Sequence, residues 1–153
     1  MEDLPEIIDA DQIIKNLWQG SAPPAGDILS RKGFKLVVLA AEEHQNADLY
    51  TDIDVYLAPS DDIPSRDCVE QFLPIWLDAA KHVANTLKNG DKVLVTCMAG
   101  LNRSGMVTAL TLMMLTTLTG NEIVDRIQSR REFALSNREF ERFIRAELDD
   151  LNL

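Results

Sequence analysis

Residues 92–107 read KVLVTCMAGLNRSGMV: a short apolar run, a cysteine, a loop of small residues, then an arginine and a serine. Lys92 to Thr96 is continuous and rich in valine, which predicts a strand covered on both faces. Ser104 to Leu118 is apolar nearly all round, which predicts a helix at the centre of a domain. Cys97 falls between the two, where a strand hands over to a helix.

Working outward, Leu17 to Gly20 and Lys35 to Ala40 (KLVVLA) are further strand candidates, with a short helix over Ala25 to Lys32 between them stopped by Gly33. Asp54 to Leu57 (DVYL) is a third, followed by the loop APSDDIPSRD. Val69, Phe72, Leu73, Trp76, Ala80, Val83, Ala84 and Leu87 recur at helical spacing, closed by Asn89 and Gly90. Pro74 fits a first turn but would kink a helix begun near Asp67, so the start of this helix stays open. Asn121 to Arg131 predicts another helix, and SNRE (Ser136 to Glu139) a capping box ahead of the stripe Phe140, Phe143, Ile144, Leu148. Strands alternating with helices predict an α/β fold, one domain over residues 1–153, with a central, mostly parallel sheet flanked by helices.

Composition agrees with one globular domain: 153 residues, 46% hydrophobic. Fifteen basic against twenty-five acidic residues leave a net charge of −10, which repels a nucleic-acid backbone or an anionic membrane. The N-terminal MEDLPEIIDADQ lacks the basic flank and long apolar core of a secretory signal. Met106 to Leu118, the most apolar run, is short for a membrane span and holds several threonines. A soluble cytoplasmic protein is expected, with no nucleic-acid or membrane partner and monomeric by default. Cys68 and Cys97 with His44 and His82 show no CxxC or HxxxH spacing, so no metal site is expected.

In an open α/β sheet ligands bind at the carboxyl ends of the strands, and Cys97 sits at such an end. Successive N–H groups of Met98, Ala99, Gly100, Leu101, Asn102 and Arg103 can form an anion nest reinforced by the helix dipole, and a phosphate fits that description. Gly100 supplies backbone freedom, while Ala99 and Gly105 leave room for close approach. The same positive field favours the thiolate of Cys97. Arg103 can offer two parallel N–H donors to two phosphate oxygens, which a lysine cannot, and Ser104 can hydrogen-bond the sulfur. With two cysteines and nine arginines the bare offset is a weak motif; the ordered strand, loop and helix around it give it weight.

VTCMAGLNRSG resembles the CX5R signature loop of the cysteine-dependent protein tyrosine phosphatases, most closely the dual-specificity branch. NLWQGS, KLVVLAAEE and SRREFALSNREF resemble further segments of that branch, so the likeness runs from about Leu17 to Phe140. It implies a phosphatase acting on phosphotyrosine and on phosphoserine or phosphothreonine in proteins, without metal or other cofactor, through a cysteinyl-phosphate on Cys97. Arg103 and the loop amides would hold the phosphoryl oxygens. The general acid would be an aspartate of the loop after the third strand; a family proline three residues before it corresponds to Pro59 and points to Asp62. Asp61 competes for the role, and Asp67 is better used as a helix cap.

The family usually has histidine before the nucleophile; here it is Thr96, whose hydroxyl could take over part of the hydrogen bonding. Asn102 is expected to brace the loop. Arg131 is either a substrate-side arginine or an exposed cation at a helix end. Cys68 reads as a buried thiol, with a protective disulfide to Cys97 as the lesser reading, and His44 and His82 as surface residues. Two alternative functions stand beside the first. The Gly-x-Asn-Arg-hydroxyl-Gly pattern also resembles capping-type RNA 5′-triphosphatases, and a phosphate-binding pseudophosphatase would share the loop.

Overall fold

The computed structural model describes residues 7–151. Five strands, β1 (Ala10–Ile14), β2 (Leu17–Gly20), β3 (Phe34–Ala41), β4 (Asp54–Ser60) and β5 (Lys92–Thr96), form one sheet in the order β1-β2-β5-β3-β4. All neighbours run parallel except β1, which pairs antiparallel with β2, so the sheet is mixed. The described residues also form five α-helices: α1 (Ile28–Arg31), α2 (Arg66–Lys88), α3 (Arg103–Leu115), α4 (Gly120–Arg130) and α5 (Arg138–Glu147).

The two sheet faces are unequal. Leu36, Val38 and Ala40 of β3 enter a large apolar cluster with Trp76 and Ala80 of α2, Met106 and Leu110 of α3, Ile123 of α4 and Phe140 of α5. Phe34, Val37 and Leu39 turn instead to a small cluster capped by Ile28 and Leu29 of α1. Residues of β3 are thus buried on both faces, as its continuous apolar run predicts. Trp76, fully buried, donates its indole N–H to Ser60 Oγ at 2.8 Å, and Ser60 donates to the Ala40 carbonyl at 2.7 Å. Phe140 meets the Trp76 ring edge-on, with centroids 5.1 Å apart. These contacts pin the end of β4 against β3 and α2.

Several boundaries differ from the sequence reading. β4 runs past Leu57 to Ser60, so the acidic loop begins at Asp61. α2 starts at Arg66, with Ser65 as its cap accepting from the Cys68 N–H at 3.1 Å. Asp67 is therefore not the cap; it lies in the first turn, where a carboxylate suits the helix dipole. Pro74 lies inside α2 and does not set its start. At α5 the cap is Asn137, not Ser136: its side chain accepts from Glu139 N and Phe140 N, both at 3.1 Å. α3 ends at Leu115, short of Leu118, where Thr116 Oγ1 turns back onto the Leu112 carbonyl at 2.7 Å. α4 opens one residue earlier, on a Thr119–Glu122 capping box.

Candidate active site

The parallel strands bring four loops to one edge of the sheet. Ala22, after β2, donates its N–H to the Met98 carbonyl at 3.2 Å. Glu43, after β3, pairs with Arg103 at 2.6 Å. The Ser60 carbonyl, ending β4, accepts from Arg103 Nη1 at 3.1 Å. The loop 97–102 between β5 and α3 lies among them, at the strand carboxyl ends where α/β sheets hold ligands.

Every carbonyl of that loop from Met98 to Asn102 is tied down. Ala99 O accepts from Arg131 Nη2 at 3.0 Å, and Gly100 O from Arg131 Nε at 2.7 Å and Gln19 Nε2 at 3.0 Å. Leu101 O accepts from Leu135 N at 3.0 Å, and Asn102 O from Met106 N at 2.9 Å. The N–H groups of Met98 to Asn102, by contrast, bond to none of the described residues, and no side chain caps the start of α3. A run of donors whose carbonyls all face other partners is the geometry of an anion nest, and the dipole of α3 adds to its positive potential. Gly100 carries φ +71°, and a Cβ there would strike the backbone of Gly20 and Ser21, so the tight path requires glycine. Gly105 has another use than ligand approach: a Cβ there would come within 2.7 Å of Leu135 Cδ2.

Cys97 is buried at the mouth of this nest, and its Sγ lies 3.2 Å from Ser104 Oγ. Arg103 is 7% exposed, and its Nε is buried without a hydrogen-bond partner. A buried guanidinium with a spare donor beside a free row of amides is costly unless something anionic completes it.

Asp62 docks on the rim of the loop. Asn102 Nδ2 donates to its Oδ2 at 2.9 Å, and Asn137 Nδ2 to its Oδ1 at 2.7 Å. Asn102 therefore does brace the loop, and it holds the acid loop as well. Asp61 lies beside Glu42 instead, and its nearness, through hydrogen bonding first and charge second, holds the Glu42 carboxyl above the ordinary carboxylate value. The structure brings Cys97, Arg103, Ser104 and Asp62 to one edge, with Met98 to Asn102 forming the loop.

The remaining residues divide: Cys68 is a buried thiol and His82 is exposed, as expected, whereas Thr96 and Arg131 differ. Thr96 does not turn to Cys97: its hydroxyl is buried and donates to the Val38 carbonyl at 2.7 Å. Cys68 is buried and free, its Sγ donating to the Asp61 carbonyl at 3.4 Å, and burial pushes its thiol above the ordinary value. His44 Nε2 lies 3.0 Å from the Tyr50 hydroxyl, and the His82 ring stacks on Tyr56 with centroids 5.0 Å apart. Arg131 is neither substrate-side nor exposed. It is buried, holding Ala99 O and Gly100 O while pairing with Asp9 and Asp11, each at 3.0 Å. Sequence reasoning missed this brace, Gln19 and Glu43; the acidic Glu42–Glu43 pair just past a strand was the one signal available for Glu43.

Removing the brace gives a first expected outcome. Arg131→Ala should lower stability by about 2 kcal/mol in a denaturant titration, below the cost of breaking a fully buried pair because its carboxylates are open to solvent. Asp9 and Asp11 are indeed 66% and 47% exposed. The hydrogen bond from Arg131 holds Asp9 below its ordinary value of 3.8. Its contribution is complete above that value and lost as pH falls through the lower, folded one. Stability of the variant should therefore fall less steeply than that of the parent below about pH 4.

The dual specificity phosphatase catalytic-domain model matches residues 17–147. Among solved structures, a mouse putative dual specificity phosphatase complexed with zinc tungstate is 20% identical, with 98% of this chain and 94% of that one covered and a TM-score of 0.74. Tk-PTP in its active form is 25% identical over 97% and 99% of the two chains, with a TM-score of 0.71. A human tyrosine phosphatase-like serine/threonine/tyrosine-interacting protein is 17% identical over 94% and 98%, with a TM-score of 0.73. Among the described residues no helix is long and apolar enough to cross a membrane. A match spanning most of the chain, on a fold shared with these structures, means that the chain belongs to the dual specificity phosphatase catalytic-domain family.

Proposed function

We propose that this protein hydrolyses phosphate monoesters of proteins, phosphotyrosine together with phosphoserine or phosphothreonine, through a cysteinyl-phosphate on Cys97. The observation that carries the reading is the loop 97–103. The carbonyls of Met98 to Asn102 are all anchored outward, their amides bond to none of the described residues, and the buried Arg103 keeps an unpartnered Nε.

In the first step the Cys97 thiolate attacks phosphorus, the S–P bond forms and the ester P–O bond breaks. Asp62 transfers its proton to the departing oxygen, so an alcohol or phenol leaves. The amides of Met98 to Arg103 and the Arg103 guanidinium hold the equatorial oxygens, where charge is spread in the transition state. In the second step the Asp62 carboxylate takes a proton from water as its oxygen attacks phosphorus. The S–P bond breaks, and Ser104, 3.2 Å from the sulfur, stabilises the departing thiolate by donating its hydroxyl proton in a hydrogen bond. Asp62 is preferred over Asp61 because its carboxylate is docked on the phosphate loop by Asn102 and held by Asn137.

Charge at the mouth separates the alternatives. Glu43 pairs with Arg103, and Glu42 with Asp61 lies close enough to feel it, so a second and third phosphate would meet carboxylates. That disfavours a triphosphate-ended RNA. The human phosphatase-like interacting protein shares the fold, so fold alone leaves a pseudophosphatase reading open; the full set of Cys97, Arg103 and Asp62 argues for turnover. A panel of phosphopeptides, triphosphate-ended RNA and phosphoinositides, run with chelator, should show phosphopeptide hydrolysis at least about tenfold above the others in kcat/KM. Selectivity for the RNA would overturn the substrate class, and binding of every member without turnover would leave a phosphate-binding module.

A further inference from the structure

Asn102 and Asn137 close a ring of hydrogen bonds around Asp62. The Asn137 backbone N–H donates to Asn102 Oδ1 at 2.9 Å, Asn102 Nδ2 donates to Asp62 Oδ2 at 2.9 Å, and Asn137 Nδ2 donates to Asp62 Oδ1 at 2.7 Å. Neither amide can be turned round. Asn102 Oδ1 is taken by a backbone N–H, and Asn137 Oδ1 by the N–H groups of Glu139 and Phe140 that it caps. Both NH2 groups must therefore face Asp62, one from the phosphate loop and one from the cap of α5. Asn137 is 7% exposed, so its side of the ring is held in a packed setting.

We infer that Asn137 and Asn102 are positioning residues for the general acid, registering the Asp62 carboxyl against the phosphate loop so that one carboxyl serves both chemical steps. The inference rests on the reading of Asp62 given above. An exposed carboxylate in a loop free of regular structure has many rotamers, and misplacement of a proton donor by an ångström lowers the rate steeply. Two fixed N–H donors remove that freedom before substrate arrives. Asn102 sits in the loop that grips the phosphoryl group, so the acid and the cradle move as one unit. Asn137 adds α5 to that unit, although it lies 75 residues further along the chain than Asp62.

A structural cap and a positioning residue respond oppositely to Asn137→Asp. Aspartate caps a helix as well as asparagine and suits its dipole, so a residue needed only for α5 would tolerate the change. A residue that donates to Asp62 would not, because a like charge replaces the donor. We expect Asn137→Asp to slow hydrolysis of phenyl phosphate by about tenfold and of an activated nitrophenyl ester by much less, a fraction of the 10² to 10⁴ that acid–base catalysis supplies. Asn137→Ser, which keeps a capping oxygen and loses the donor, should show the same leaving-group pattern more weakly. In the Asp62→Asn background, Asn137→Asp should add no further leaving-group dependence, since the group it positions is gone. If the losses simply add, or if Asn137→Asp slows both substrates equally, the positioning role is overturned and Asn137 is a cap alone. If Asp62→Asn by itself shows no leaving-group dependence, the general acid lies elsewhere, which overturns that assignment and the clamp with it.

Discussion

Cys97→Ser is expected to abolish turnover, by more than about 10⁴-fold, while the protein keeps its affinity for phosphate. The nucleophile and the anion site are separate parts of one loop. Phosphate would be held by the amides of Met98 to Asn102 and by Arg103, none of which depends on sulfur. The serine hydroxyl fits the small space beside Ser104, 3.2 Å from the present sulfur, so the loop should keep its path. A hydroxyl is almost wholly protonated at neutral pH, which removes the attacking anion and its repulsion of a phosphate dianion. Single-turnover assays with a phosphopeptide read the first effect, and ligand-induced stabilisation in thermal melts the second. More than trace turnover would overturn the covalent mechanism, and loss of phosphate binding would mean the nest is not preformed. Iodoacetate adds a check on the parent protein: Cys97 should be labelled first and protected by vanadate, because burial pushes the Cys68 thiol up and so keeps it inert.

The part of the molecule most legible in the sequence was that whose information is local. β5, its loop and α3 follow one another without a gap, and an apolar run, a glycine and an apolar helix announce themselves by periodicity. β3 was legible for the same reason, since both its faces are buried. β1 was not: ADQII is half polar, and what makes it a strand is its antiparallel pairing with β2 across a two-residue turn. Its role is in turn tertiary. Asp9 and Asp11 hold Arg131, some 120 residues away, and no spacing rule connects them.

The site shows the same division. Cys97, Arg103 and Ser104 are set out along a single turn, so their proximity can be read directly. Asn137 against Ser136 as the α5 cap is a choice between adjacent capping residues that only the register of the chain decides; here Ser136 Oγ is free to accept from Asn102 while Asn137 caps. Thr96 shows how a hydroxyl misleads. Next to a nucleophile it invites a functional reading, yet strand alternation carries it to the other side, where the Val38 carbonyl takes it. Glu43 was overlooked because acidic residues after a strand are usually solvated, and only the fold shows that the turn after β3 reaches Arg103.

Arg103→Lys should cost about 10³-fold in kcat, nearly as severe as loss of the nucleophile although one positive charge replaces another. The arginine does two things at once. Its Nη1 is fixed by the Ser60 carbonyl at 3.1 Å and by Glu43 at 2.6 Å, which leaves the buried Nε edge available to a ligand. Ser60 is itself held by Trp76 and by the Ala40 carbonyl, so the anchor is rigid. A lysine ammonium is one point on a flexible stem. It can satisfy Glu43 and Ser60, or reach the phosphoryl group, but it cannot present two parallel donors while anchored. The loss should fall on kcat more than on KM, because the planar fork matches the spread charge of the transition state better than the ground-state ester. Arg103→Ala, lacking both anchor and donor, should be slower still and should recover part of its rate on addition of free guanidinium, as a geometric role requires. Near-normal kcat for Arg103→Lys would mean that this arginine serves only to tie β4 to the loop, and transition-state stabilisation would then rest on the amides alone.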